Sequence, residues 1–181
     1  METLEAIKKR ASLKTHVSAR DVEPEKIAKI LDAARLAPSA RNRQPWRFVV
    51  VTDKEVIRTL VSRAFGEMNL VLKEAPVIII ACADPGDAVF DVGLAVENMI
   101  LAATDLGLVT HLMGGPDGDE IKRILGIPGE VRFVIATPLA YPAEGSYDEA
   151  ARERLSQRTR KELQEFAYTN AWGEAVLAYQ L

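Results

Sequence analysis

The chain has 181 residues, a length that favours one domain, and its 48% hydrophobic and 27% charged content fits a soluble globular protein. A net charge of -3 gives no basic field for nucleic acid, and a single cysteine, Cys82, excludes an intramolecular disulfide. No stretch reaches the roughly 18 apolar residues of a membrane span.

Residues 1–10 are charged and lack an apolar centre, so the sequence predicts no secretory leader. The lone thiol fits a reducing, cytoplasmic setting. Residues 2–9 read as a short helix with Leu4 and Ile7 on one face. Residues 11–21 are polar and connective. Pro24 suits the first position of a second helix, which Ile27, Ile30, Leu31 and Ala34 continue to residue 36. Residues 46–51 are apolar and β-branched, as a strand requires. Thr52-Asp53-Lys54-Glu55 fits a capping box opening a helix through Val56, Ile57, Leu60 and Val61.

Residues 76–83 are apolar throughout, which predicts a strand covered on both faces. Cys82 lies in that run and reads as a small buried hydrophobe. Residues 87–106 form the longest helical pattern, apolar nearly all round, so it is central or shared with another subunit. Gly107 ends it. Residues 109–113 read as a short extended segment, residues 117–125 as a helix, and residues 131–136 as the last strand. The predicted fold is α+β with three layers of α/β type: a central mixed sheet of about four to five strands, flanked by helices. Residues 1–181 read as one domain. Residues 143–181 shift in composition and read as an extended C-terminal arm over the body or a partner subunit.

Four segments carry candidate chemistry. Prolines bracket the run Pro38-Ser39-Ala40-Arg41-Asn42-Arg43-Gln44-Pro45-Trp46, so it cannot be regular helix. Its Asn42 and Gln44 amides can donate and accept in one plane, as the edge of a heteroaromatic ring requires. In an extended segment Arg10, Ser12 and Lys14 share one face, which suits either a phosphate cradle or a solvated basic stretch. Arg158 and Arg160 repeat the device, or form a solvated helix face. Gly114-Gly115 suits close backbone approach to a ligand, or a tight turn. His16 and His111 are far apart, and no Cys/His pair has metal-ligand spacing, so no metal site is predicted.

Together these segments resemble the FMN-dependent nitroreductase family in its short single-domain form. The likeness rests on Arg10-Ala11-Ser12-Leu13-Lys14, on residues 38–46, on the Asn98-Met99 stretch ending at Gly107-Leu108, on Gly114-Gly115, on Tyr141-Pro142, and on residues 158–172. It implies an oxidoreductase that uses NAD(P)H to reduce a nitroaromatic, quinone or similar small acceptor through FMN. It implies a homodimer with FMN at the interface and the C-terminal tail wrapped over the partner. Arg10, Ala11, Ser12 and Lys14, with Arg158 and Arg160, would hold the phosphate. Asn42, with Gln44, would face flavin in its own subunit. Pro38, Ser39 and Ala40 would line the neighbour's. Gly114 and Gly115 would lie near flavin N5, and Asn69 is a further contact. No side chain is assigned as an acid or base, because the flavin carries the chemistry.

The chain departs from the family pattern at Ala11, where a second basic residue is usual, leaving one phosphate donor fewer. It departs also at His16, Pro116 and Ala140. It lacks the long insertions that cover the flavin in larger members. A non-catalytic flavin-binding dimer is therefore the alternative class, followed by a specialised flavin enzyme of the superfamily.

Overall fold

All seven residues of strand β2 (Val77–Ala83) are buried, which accounts for its unbroken apolar run. The computed structural model describes residues 2–13, 17–66, 70–86, 88–146 and 159–174. In it β2 is flanked on one side by β1 (Trp46–Val51), with Trp46 opposite Ala83 and Val51 opposite Ile78. On the other side lies β4 (Arg132–Ala140), with Val77 opposite Leu139 and Ala83 opposite Arg132. The two-residue β3 (Val109–Thr110) pairs with the end of β4, giving the order β1-β2-β4-β3. These ladders are all antiparallel. One isolated parallel bridge, Ser12 to Thr110, lies at the edge outside the named strands, so the four-stranded sheet itself is antiparallel where a mixed one was expected.

Side chains of β2 alternate between two cores. Ile78, Ile80 and Cys82 enter one, beneath α3 (Lys54–Leu60), the wider turn Val61–Phe65 and α6 (Gly118–Leu125). Val77, Ile79, Ala81 and Ala83 enter the other, beneath α2 (Pro24–Arg35) and α5 (Val89–Asp105). Helices therefore cover both faces, as the apolar run requires. Burying each large aliphatic side chain contributes roughly 1.5–3 kcal/mol. Cys82 is 1% exposed, and burial pushes its thiol up, which disfavours a nucleophilic thiolate.

Most element ends move by a residue or two from the sequence reading, and three boundaries are set by identifiable bonds or pairings. The cap of α3 is Asp53 rather than Thr52: Asp53 Oδ1 accepts from the Glu55 and Val56 amides at 2.9 and 3.0 Å. A carboxylate there also complements the helix dipole. Strand β4 runs to Ala140, past Pro138. The Thr137 hydroxyl accepts from the His111 amide at 3.1 Å, taking a bond that a purely backbone ladder would supply. The extended segment after Gly107 narrows to β3 plus an isolated bridge from Met113 to Ala136.

Helix α5 buries Val92, Ala95, Val96, Met99, Ile100 and Ala103, while Phe90 in its first turn is 77% exposed. Gly107 ends it in the left-handed region, at φ 78°. Among the described residues, no helix is long and apolar enough to cross a membrane. In the C-terminal arm, Leu163–Glu165 form a single turn, and Trp172 is 90% exposed beside Tyr168, their ring centroids 4.8 Å apart. The small α1 (Thr3–Lys9) and α4 (Leu70–Glu74) complete the named helices.

Candidate active site at the sheet edge

The basic N-terminal segment lands on the edge of the sheet beyond β3. Ser12 bridges Thr110, and the Leu13 amide donates to the Thr110 carbonyl at 3.2 Å. That pairing holds the backbone extended, so the predicted alternation applies. Arg10 and Ser12 share a face, with Arg10 Nη1 donating to Ser12 Oγ at 3.3 Å. Ala11 points the other way and is buried. A basic residue at position 11 would not add a donor to this face, so the departure at Ala11 leaves it intact. Lys14, His16, Asn69 and Arg158 lie outside the described residues. Arg160 is exposed and donates to the Thr159 carbonyl at 3.0 Å.

The same edge carries the glycine pair. Beyond β3, Met113 exchanges two backbone bonds with Ala136, at 2.8 and 3.0 Å, and Gly114 and Gly115 follow, both exposed. Neither has positive φ. A Cβ at either would meet no heavy atom within 4 Å among the described residues. The turn itself therefore does not require glycine. What glycine provides here is bare backbone facing open space, the arrangement a planar ligand needs to lie against amide N–H groups.

Tyr141 anchors this edge to α2. The segment after the basic motif continues alongside it, with Val17 bridging Pro142 and the Ser18 amide donating to the Tyr141 carbonyl at 2.8 Å. The Tyr141 hydroxyl donates to Glu23 Oε2 at 2.5 Å and accepts from Lys26 Nζ at 2.7 Å. Lys26 also donates to the Leu106 carbonyl, and the Arg20 guanidinium lies 4.2 Å over the Tyr141 ring. The Tyr141 bond, then the backbone and Arg20, hold the Glu23 carboxyl down at about 2.

The loop at residues 38–45 is built differently. Ala40–Asn42 form one tight turn, and Arg41, Asn42 and Gln44 have φ of 53°, 55° and 51°. Non-glycine residues in that region cost on the order of 1 kcal/mol each, asparagine least, so other contacts must impose the shape. Ser39 Oγ accepts from the Gln44 amide at 3.0 Å, and Asp91 Oδ2 accepts from the Ala40 amide at 3.2 Å. Asp91 is 6% exposed, with Arg43 Nη2 4.0 Å from its carboxylate. The Asn42 side chain makes no hydrogen bond among the described residues and is exposed. Sequence patterning alone does not single out Asp91 within the apolar helix at residues 87–106. A lone acid in the first turn of such a helix was the available signal.

One chain does not bring the loop and the edge together. Trp46, at the end of the loop, lies level with Ala83, whereas Ser12 lies level with Thr110, Leu139 and Val77. They are separated by about 20 Å along β2 and by four strand spacings, again about 20 Å, across the sheet.

Comparison with known proteins identifies the group to which this architecture belongs. The nitroreductase family profile matches residues 7–78 and 67–141. A Methanothermobacter thermautotrophicus protein, provisionally named NADH dehydrogenase/NAD(P)H nitroreductase, is 41% identical over 155 residues, 80% of this chain and 79% of its own. The crystal structure of a nitroreductase family protein from Clostridium difficile 630 superposes with a TM-score of 0.78 at 30% identity, covering 94% of this chain and 99% of that one. An FMN-dependent nitroreductase from Clostridium difficile R20291 gives 0.71 at 29% identity, covering 81% and 92%. The chain belongs to the nitroreductase family and is an oxidoreductase of that kind.

Proposed function

We propose that the chain is an FMN-dependent reductase that takes electrons from NAD(P)H and works as a homodimer. One observation carries this reading: Arg10 and Ser12 share a face on the same sheet edge as two glycines whose backbone does not itself require glycine. A cation and a hydroxyl suit a phosphate, and bare amide N–H groups suit the polar edge of a ring system. The donor set therefore fits FMN. Bound FMN would accept hydride from NAD(P)H and pass reducing equivalents to a nitroaromatic, quinone or similar small acceptor.

The chain's own residues bind and orient. Arg10 and Ser12, with Lys14, Arg158 and Arg160, would hold the phosphate. The Gly114 and Gly115 amides would face the ring, where N–H donors would favour a reduced, more negative flavin. The loop with Asn42 and Gln44 lies across the sheet from this edge, beyond the reach of one mononucleotide, so a second copy supplies it. Because Asn42 and Ser39 belong to one turn, with the Asn42 amide bonded to the Ser39 carbonyl at 2.9 Å, the whole loop then comes from the partner. This differs from a division in which Asn42 faces flavin in its own subunit. Exposed Leu36, Phe90 and the aromatics of the C-terminal arm are the apolar surface such a dimer covers.

The test is steady-state oxidation of NADH or NADPH by purified protein, with and without added FMN, using a quinone as acceptor. Turnover that depends on both FMN and quinone is expected. Tight FMN binding with no turnover on either nucleotide would move the chain to the non-catalytic flavin-binding class.

A further inference from the structure

We propose that Asp91 is a positioning residue: it sets the left-handed shape of the loop at residues 38–45, and through that shape the affinity for flavin. The second half of this statement rests on the reading of the loop as a wall of the flavin site.

A carboxylate is rarely 6% exposed unless it has partners, and among the described residues both partners of Asp91 lie in this loop. Its Oδ2 takes the Ala40 amide at 3.2 Å and faces Arg43 Nη2 at 4.0 Å. Those two residues bracket Arg41 and Asn42, two of the loop's three residues with positive φ. One anion thus grips the turn on each side of its strained centre. A second grip, Ser39 Oγ on the Gln44 amide, closes the span that holds the third. Asp91 itself sits in the first turn of α5, where the helix dipole favours an anion. Its neighbours Val92, Ala95 and Val96 are fixed in the core. The carboxylate therefore ties an exposed loop to the buried helix α5, and the Asn42 side chain is exposed, without a hydrogen bond among the described residues.

Limited proteolysis and flavin titration of Asp91→Asn read the two halves separately. Asparagine keeps an oxygen for the Ala40 amide but removes the charge that faces Arg43. In flavin-free protein, trypsin cleavage after Arg41 and Arg43 should rise about tenfold, with other sites unchanged, as expected when a charge-assisted hydrogen bond is reduced to a neutral one and the facing ion pair is removed. Affinities for FMN and for riboflavin should both fall about tenfold, because the phosphate contacts are untouched. Arg43→Gln, an exposed change that spares the core, should raise cleavage after Arg41 by about two- to fivefold. It decides the matter alone if Asp91→Asn fails to fold. Unchanged cleavage after Arg41 in the folded variants overturns the role of Asp91. Raised cleavage with unchanged flavin affinity overturns its link to flavin. Raised cleavage in a protein whose parent form binds no FMN upholds the grip on the loop and removes the flavin reading.

Discussion

Replacing Gly115 or Gly114 with alanine separates a ligand-facing glycine from a structural one. Neither residue has positive φ, and the added methyl meets no atom of the described chain within 4 Å. Alanine should therefore stabilise the fold by about 0.4–1 kcal/mol, because it restricts the unfolded chain. In a chain of this size that raises Tm by about 1–4 °C. The same methyl would stand between the backbone and a flavin ring. Forcing an extra methyl into a packed contact costs typically about 1–3 kcal/mol, which is roughly a 5- to 150-fold loss of FMN affinity. Differential scanning calorimetry of the flavin-free protein reads the first effect, and quenching of FMN fluorescence on titration reads the second. The expected signature is opposite movement: a higher Tm with weaker FMN binding. Parental FMN affinity in both variants would refute the placement of the ring at this edge. A Tm lowered by several degrees would show that the turn needs glycine after all.

Arg10→Ala/Ser12→Ala should weaken FMN binding at least tenfold while leaving riboflavin binding unchanged, since each lost charge-assisted bond is worth about 1.5–3 kcal/mol; an equal loss for both flavins would move the phosphate elsewhere. Tyr141→Phe removes the hydroxyl that holds the Glu23 carboxyl down at about 2. A carboxyl depressed in the folded state stabilises above its unfolded value and loses that contribution as pH falls toward its folded value. The variant should therefore unfold more easily in urea at pH 7, and the gap from the parent should close between about pH 4.5 and about 2. A gap that stays constant across that range would exclude Glu23 as its source. Phe90→Asp places a charge on a side chain that is 77% exposed in the single chain. Light scattering should show monomers, with FMN lost in step. A variant that stays dimeric and keeps its flavin would take Phe90 out of the interface.

Local rules served the sequence well where pairing enforces them. Arg10 and Ser12 alternate as predicted because Ser12 is bridged to Thr110, which leaves the backbone no helical option. Residues 76–83 read as a doubly covered strand because every side chain of β2 is buried. Side-chain substitutes for backbone bonds were harder to foresee. The Asp53 carboxylate shifts a helix cap by one residue, and the pairing of Leu139 with Val77 and of Ala140 with Val109 continues β4 past Pro138, beyond the expected end at Ala136. Asp91 escaped notice because its partners lie some fifty residues away. The separation of the loop from the basic edge depends on the strand order β1-β2-β4-β3, which no local pattern encodes. The motifs themselves were legible. That one chain sets the loop and the basic segment on opposite corners of its sheet was not.

The most direct measurement is the visible absorption spectrum of the FMN-reconstituted protein, recorded without oxygen before and after adding NADH or NADPH. Oxidised flavin bands that bleach with one or both nucleotides, at one FMN per chain and two per assembly, are the predicted result. A colourless protein that cannot be loaded with FMN, or bound flavin that neither nucleotide bleaches, would contradict the proposed reductase.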